Sequence, residues 1–546
     1  MDTAAFLDHL RHQPWYRDQV AHVQPIAPRA VRHAGLDRPL PAVLDAALEA
    51  LGIRRLYIHQ AQAVNALRSG ENAIVCTPAA SGKTLCYNLP VLETLLAEKG
   101  ARALYLFPTK ALAQDQLRAL HSLTSAAELD IYAATYDGDT PSEERGEIRR
   151  NAQVLITNPD MLHMGILPNH RAWSRFLRHL RYVVVDEAHI YRGVFGSHVA
   201  LVLRRLRRLC AHYGASPRFV LSSATIANPG EHAERLTGLP FRVIDDDGAP
   251  YGGKDFVFWN PPLVNEARGR RKSANSEASQ LFTELVQTGT RTILFVRTRR
   301  LAELLYRYTR ERLQETDKAL AARVSPYRAG YTPEDRRRIE QALFRGDLLG
   351  VSATNALELG VDIGDLDATV LTGYPGSIAS VWQQAGRSGR RGERSLSILV
   401  AVDNPLDQYF MRHPDAFFGK TCEHALTSPA NPHIAQPHIL CAAYELPLME
   451  QDARYFGPGL AKRIEALVEK DLLHPRGEMW YLSAAVAYPA EGVNIRSTSS
   501  DPYTLVEEQS GSLLETVESA VAFFQVHPGA IYLHQGESYL ITRLDI

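Results

Sequence analysis

No stretch of about 18 consecutive apolar residues occurs in this chain, so nothing in it reads as a membrane span. Cysteine is scarce. Cys76, Cys86, Cys210, Cys422 and Cys441 are the five present, and no two stand as C-x-x-C. That spacing excludes a disulfide framework and fits a reducing compartment. The opening residues, MDTAAFLDHLRHQPWY, are charged where a secretory signal needs an apolar core. Net charge is lacking too, at −1. A polyanionic partner must therefore be met by local patches rather than by a basic field. No internal repeat or low-complexity tract is evident, which argues against a solenoid or a disordered chain. What is present is the balance of a globular protein, 45% hydrophobic and 22% charged over 546 residues. At about 150 residues per domain, that length predicts three or four domains.

Residues 1–55 read as an N-terminal helical extension, with Val43, Leu44, Ala47 and Leu51 at helical spacing. Over 56–245, short apolar runs at 72–76, 103–107, 154–157, 182–185 and 218–221 alternate with helical stretches. Such runs read as buried parallel strands of a doubly wound sheet. The acidic, glycine-rich stretch 245–255 reads as a linker. A second such domain is expected over 246–415, with strands at 292–296, 349–352, 368–372 and 397–400. Residues 416–490 combine helical pieces at 437–445 and 459–470 with a hairpin around Gly477, which suits a winged-helix-like domain. Residues 491–546 read as the start of a β-rich region, with turns at Pro528-Gly529 and Gln535-Gly536. The predicted fold class is α/β: two tandem doubly wound domains, a winged-helix-like domain and a small β-rich segment. The basic run Arg204–Arg208 lies beside an apolar helical stripe and is expected to be a solvated face.

The sharpest motif is Thr77-Pro78-Ala79-Ala80-Ser81-Gly82-Lys83-Thr84, between an expected strand and an expected helix. This is the setting of a phosphate-binding loop, where backbone N–H groups at a helix start cradle phosphates. Thr77, Ala80, Ser81 and Gly82 would line it, Lys83 would reach the β- and γ-phosphates, and Thr84 would offer its hydroxyl to Mg²⁺. Thr77 stands where the general pattern has its first glycine. After the apolar run 181–185 comes Asp186-Glu187-Ala188-His189. Two adjacent carboxylates at a strand end are costly unless a cation sits there. Asp186 is expected to hold Mg²⁺, and Glu187 to position and polarise the attacking water. Upstream, the Gln60 amide can pair with both donor and acceptor of adenine, and Tyr57 can stack on the base. His189, with Ser223 and Thr225 of the run Ser222-Ser223-Ala224-Thr225, is a candidate for coupling this site to a second domain. Farther on, Gln383-Gln384-Ala385-Gly386-Arg387-Ser388-Gly389-Arg390 sets two arginines three residues apart, on one face of a helix. Facing a nucleotide, Arg387 and Arg390 would serve as arginine fingers, with Gln383 orienting the water.

In this order the motifs resemble those of the superfamily 2 helicases spelled DEAH. Pro108-Thr109-Lys110-Ala111-Leu112 looks like that family's motif Ia, and Thr157-Asn158-Pro159-Asp160-Met161-Leu162 like Ib. Leu294-Phe295-Val296-Arg297-Thr298 looks like IV, and ATNALELGVD from Ala353 to Asp362 like V. More narrowly, LYIHQAQAV, TPAASGKT, DEAHIYRGVFGSHVA, ATNALELGVDIG and HPGAIYLHQGESYL resemble the YprA/MrfA group, bacterial relatives of a RecQ-like eukaryotic helicase. The group's own phosphate loop also lacks the first glycine, in keeping with Thr77.

The resemblance covers most of the chain. It implies two RecA-like domains, ATP and Mg²⁺ as cofactors, and 3′→5′ movement on DNA in DNA repair. It also implies that Gly360 and Asp362 touch the nucleotide. Thr109, Lys110, Thr157, Asn158, Arg297 and Thr354 would grip one strand by its backbone. The expected partners are single-stranded DNA and a duplex junction, with no membrane. The expected setting is the cytoplasm, at the nucleoid. A monomer suffices, because one chain carries both halves of the ATP site. Members of the group continue into a four-cysteine zinc domain, so this sequence is expected to be a piece of a longer protein, without zinc. Cys422-x-His424 and His438-x-x-Cys441 offer ligand types that zinc accepts, but the apolar run around Cys441 points to core packing. An RNA-remodelling ATPase of the same superfamily is the alternative. A non-hydrolysing, ATP-switched scaffold is a third reading, and the presence of Lys83, Asp186, Glu187, Arg387 and Arg390 opposes it.

Overall fold

The computed structural model describes residues 2–545 apart from 266–269, 329, 359–363, 365, 390–392, 420–421, 497–502, 518–521, 524–525 and 535–536. The chain forms two compact units. One is Arg32–Gly248 with His424–Thr498, and the other is Met1–Val31, Ala249–Glu423 and Ser499–Ile546.

In the first unit seven parallel strands form one sheet. Their order is Ala133–Thr135, Val154–Thr157, Arg102–Leu106, Leu180–Val185, Arg218–Ser223, Ala73–Cys76 and Arg242–Ile244. Side chains alternate across a strand, and both faces here are covered. Ala73, Val75, Ala103, Tyr105, Val154, Ile156, Tyr182 and Val184 enter one core. Ile74, Leu104, Leu106, Leu155, Val183 and Val185 enter the other. This is why the strands read as unbroken apolar runs. The loops at their carboxyl ends carry the Thr77–Thr84 and Asp186-Glu187 motifs, with Ser222-Ser223 closing its strand at the same edge, where open α/β sheets place their ligands.

The same unit contains the winged-helix fold. Helices Pro432–Glu445 and Leu460–Glu469 pack with a three-stranded sheet ordered Leu448–Met449, Met479–Leu482, Leu473–Arg476. The hairpin turns at Gly477 in the left-handed region (φ 60°).

Arg205 and Arg208 are not a solvated face. Both are buried on helix Gly193–His212, because helix Pro432–Glu445 covers that side. Arg205 pairs with the fully buried Glu445 (Nε–Oε1 3.0 Å) and donates to His163 (2.8 Å) and His438 (3.2 Å). Arg208 donates to the carbonyls of Ala442 (2.8 Å) and Pro447 (2.6 Å) and pairs with Asp452 (2.9 Å). Glu445→Gln leaves the Arg205 guanidinium buried without its counter-charge. A loss of about 3–5 kcal/mol is expected, read by urea denaturation.

Burial holds His163 down to about 3 and His438 well below its ordinary value, with Arg205 adding to both shifts. Unfolding lets these imidazoles take up protons below about pH 6.5, where the folded state excludes them. Stability is therefore full above pH 6.5 and falls toward pH 3, by up to about 1.4 kcal/mol per unit for each such histidine. Thermal melts across that range check the sign.

In the second unit the sheet order is Val20–Ile26, Lys254–Trp259, Ser395–Val400, Ala368–Thr372, Thr292–Phe295, Gly350–Ala353 and Val324–Tyr327. All pairs are parallel except the first. Helices Ala274–Gln287 and Arg299–Thr316 cover one face. Phe256, Phe258, Trp382, Phe417 and Phe418 pack on the other, with ring centroids 5.1–6.2 Å apart for Phe258–Phe418 and Trp382–Phe418.

Two expectations change here. Residues 1–55 are not helical throughout: helices Thr3–Arg11 and Ala42–Ala50 form, but Val20–Ile26 is an edge strand on Lys254–Trp259. Pro25 is tolerated because an edge strand can leave one N–H unused. The stretch 245–255 is no loose linker either. Asp247 is buried, and Lys254 and Asp255 already belong to a fully buried strand.

The C-terminal residues form two hairpins, Tyr503–Val506 with Leu513–Val517 and Ile531–His534 with Glu537–Leu540. The expected turn at Gln535-Gly536 lies outside the described residues. Among the described residues no helix is long and apolar enough to cross a membrane.

Candidate functional site

The phosphate loop leaves strand Ala73–Cys76 and opens helix Thr84–Ala97. Thr77 is fully buried and its hydroxyl meets the Ser81 hydroxyl at 2.7 Å, closing the loop where the general pattern has glycine. Ala80 (φ 61°) and Gly82 (φ 79°) both take the left-handed backbone. The positive φ at Gly82 favours glycine, and a Cβ there would also lie 2.7 Å from Gln60 Nε2 and push that amide aside. The Lys83 ammonium donates to the carbonyls of Thr77 and Pro78, each at 2.8 Å. The Thr84 hydroxyl donates to Gln116 Oε1 (3.3 Å).

Gln60 stands beside this loop: its amide nitrogen donates to Gly82 O (2.9 Å) and its oxygen accepts from the Tyr57 N–H (2.9 Å). Tyr57 stacks between His33 and His59 at centroid distances of 5.6 and 5.9 Å. His59 was not anticipated. Its Nε2 meets Ser81 O at 3.0 Å and its Nδ1 accepts from the Gly248 N–H at 3.2 Å, so it braces the loop from below.

Asp186 is buried and accepts from the Ser222 hydroxyl and from the Glu187 N–H (2.9 Å). Burial and the adjacent Glu187 push its carboxyl up to about 7. Glu187 is itself in the left-handed region (φ 50°), where a non-glycine residue is strained. Strain of this kind concentrates at functional sites. Burial pushes His189 down to about 3, so its 3.5 Å approach to Glu187 joins a neutral imidazole and not an ion pair. Nδ1 of His189 accepts from the Ala224 N–H at 3.2 Å. Within Ser222–Thr225, then, Ser222 touches Asp186 and Ala224 touches His189. The Ser223 hydroxyl stays on Ala224 O, and Thr225 is exposed.

Motifs Ia and Ib line one groove of about 470 Å³. Thr109, Lys110, Asn158, Asp160, Met161 and Arg496 are on its walls. Thr109 Oγ1 caps helix Lys110–Ala126 through the Leu112 N–H (3.3 Å), and Asn158 Oδ1 accepts from the Met161 N–H (2.8 Å). Lys110 is exposed and pairs with Asp139 at 2.6 Å. Thr157 does not reach the groove. It is fully buried at the end of its strand, with its hydroxyl on Tyr136 O, and supports the loop from beneath.

In the second unit, helix Ile378–Ala385 carries the buried Gln383, and Gln384 donates to Glu358 at 2.9 Å. The helix stops at Ala385, before Arg387. Gly386 caps it, and Arg387 lies buried in the following turn rather than on the helix. Gly389, at φ 88°, prevents continuation. Arg390, Gly360 and Asp362 lie outside the described residues.

The buried Lys254 ammonium holds the helix end. It donates to Ala385 O (2.7 Å), Ser388 O (3.3 Å), Ser388 Oγ (2.6 Å) and Ser397 Oγ (3.1 Å). A cation at a helix C-terminus is favoured, while burial lowers this one to about 7. Arg297 is half exposed and donates to Tyr374 O, and Thr354 is buried at the end of its strand. Cys441 packs with Ala490, Val493 and Ile495, while His438 meets His198 (3.0 Å) and Arg205. Among the described residues no three His, Cys, Asp or Glu side chains gather as a metal ion would require.

The DEAD/DEAH box helicase family matches residues 57–232, and the helicase conserved C-terminal domain matches 276–392. The winged helix domain of ATP-dependent helicase HRQ1 matches 427–498. The chain is similar to the uncharacterized ATP-dependent helicase YprA of Bacillus subtilis, 45% identical over 97% of this chain and 70% of that one. It belongs to the YprA/MrfA type of superfamily 2 helicases. It is also 40% identical to the ATP-dependent helicase HRQ1 of Saccharomyces cerevisiae over 99% of this chain, spanning about half (51%) of that protein. A crystal structure of the helicase MrfA bound to DNA and AMPPNP superposes with a TM-score of 0.92 at 43% identity, over 99% of this chain and 75% of that one. As a member of this YprA/MrfA type, the chain has two RecA-like domains with a winged helix and is an ATP-hydrolysing enzyme. The loop around Lys83 and the pair Asp186-Glu187 both fall within the stretch that matches the DEAD/DEAH box helicase family.

Proposed function

We propose that this chain is a DNA motor that moves 3′→5′ along a single strand, opens duplex at a junction and serves DNA repair. The observation that carries the reading is the Ia–Ib groove, with Thr109, Lys110 and Asn158 on its walls, in a chain so like a helicase crystallised with DNA and AMPPNP. Hydroxyl, amide and ammonium groups suit phosphates and do not read bases. Arg297 and Thr354 supply a second grip on the same backbone.

Lys83 moves from the loop carbonyls to the β- and γ-phosphates, and the loop's backbone N–H groups cradle them. Mg²⁺, held by Thr84 and Asp186, would neutralise phosphate charge there. Glu187 orients and polarises the attacking water, with Gln383 assisting. Arg387 and Arg390 stabilise charge on the transferring phosphoryl group, and Gly360 and Asp362 touch the nucleotide. Tyr57 and Gln60 hold the adenine. His189, Ser223 and Thr225 relay the state of the site, and one chain suffices for the chemistry.

Strand displacement on short duplexes with a 3′ tail, a 5′ tail or none tests the reading. Displacement of the 3′-tailed duplex alone is expected, dependent on ATP. Displacement of the 5′-tailed duplex alone would overturn the polarity.

A further inference from the structure

The winged-helix domain sends one cation into the groove of motifs Ia and Ib. Arg496 Nε donates to both carboxylate oxygens of Asp160 (2.8 and 2.9 Å), and Nη2 donates to Pro108 O (2.7 Å). The guanidinium lies over the Phe195 ring, 5.0 Å from its centroid. One side chain thus touches motif Ia, motif Ib and the helix that follows Asp186–His189. Its approach is fixed just upstream. Val493 and Ile495 are buried, Val493 O meets His163 Nε2 at 3.1 Å, and the Tyr488 hydroxyl donates to Met164 O at 2.7 Å.

Taking the DNA reading above as its basis, we propose that Arg496 is a backbone-phosphate contact of this groove, held by Asp160 until a strand enters. The pair is half exposed, at 44% and 38%, and pairs of that kind contribute little to stability. A guanidinium fork matches phosphate as well as carboxylate, so an entering phosphate can replace Asp160 on the same donors. Lys110 stands in the same state, paired with Asp139 on the groove wall. The groove therefore keeps its cations neutralised until a polyanion displaces their carboxylates. This also accounts for a nucleic-acid site in a chain with no net positive charge. The phosphate grip then includes the winged-helix domain, beyond the motor motifs.

Fluorescence anisotropy with a single-stranded oligonucleotide, over a salt series, tests this on the full chain, Arg496→Ala, Arg496→Lys and Asp160→Asn. Arg496→Ala is expected to weaken binding roughly tenfold and to lower the salt slope by about one, as loss of one phosphate contact does. Arg496→Lys keeps the charge and the slope. Asp160→Asn releases the guanidinium and tightens binding about threefold. Unchanged affinity and slope in Arg496→Ala would overturn the proposal while leaving the DNA reading intact. Weakening by Asp160→Asn to the level of Arg496→Ala would make the pair a structural strut and overturn it as well. Should Arg496→Ala melt early, Asp160→Asn decides alone, and failure to tighten counts against the proposal. An unmutated chain that binds no DNA would overturn both readings.

Discussion

Glu187→Gln is expected to bind ATP as the unmutated chain does and to hydrolyse it about 10³-fold more slowly. The amide keeps the size and backbone turn of Glu187 but cannot polarise water by accepting its proton. Burial is already high at this point: Asp186 is buried beside it, with Ser222 and the Glu187 N–H on its carboxylate. Removing one of two crowded negative charges also relieves Asp186, so nucleotide binding is not expected to suffer. Binding of a fluorescent ATP analogue and single-turnover hydrolysis separate the two effects. Normal turnover in the variant would move the water-positioning role elsewhere.

Arg387→Ala carries the second large expectation, a loss of about 10³–10⁵ in kcat with little change in ATP affinity. Arg387→Lys should rescue poorly, because the planar fork matches a phosphoryl group where an ammonium supplies only a point charge. The side chain is buried in the turn after helix Ile378–Ala385, so a thermal melt must accompany the kinetics. A fall in kcat without a fall in melting temperature supports the assignment. Loss of ATP affinity with kcat unchanged would assign Arg387 to ground-state binding instead.

The placement of the motifs was legible in the sequence because each is short and sits at a strand end. Thr77–Thr84 and Asp186–His189 follow apolar runs, and the structure puts both at the carboxyl edge of one parallel sheet. Partners distant in sequence were not legible. Arg205 reads as one of a solvated basic run because its counter-charge, Glu445, lies 240 residues away. Lys254 reads as linker because its neighbours are acidic and glycine-rich, yet it sits in a buried strand beneath the helix that carries Gln383. Val20–Ile26 holds a proline and few strong apolar residues, so its edge pairing with Lys254–Trp259 left no clear period. Thr157 matches a motif by type, but its position at the end of a doubly covered strand turns its hydroxyl inward. Arg496 belongs to no motor motif, and only the packing of the winged-helix domain brings it to Asp160.

Steady-state ATP hydrolysis with no nucleic acid, with single-stranded DNA and with RNA of matched sequence tests the central claim most directly. The account predicts low turnover alone, strong stimulation by DNA and little by RNA, the discrimination resting on contacts that sense the 2′-hydroxyl beside those that hold phosphates. ATP bound but not hydrolysed under any of the three conditions, or hydrolysis stimulated by RNA and not by DNA, would contradict it.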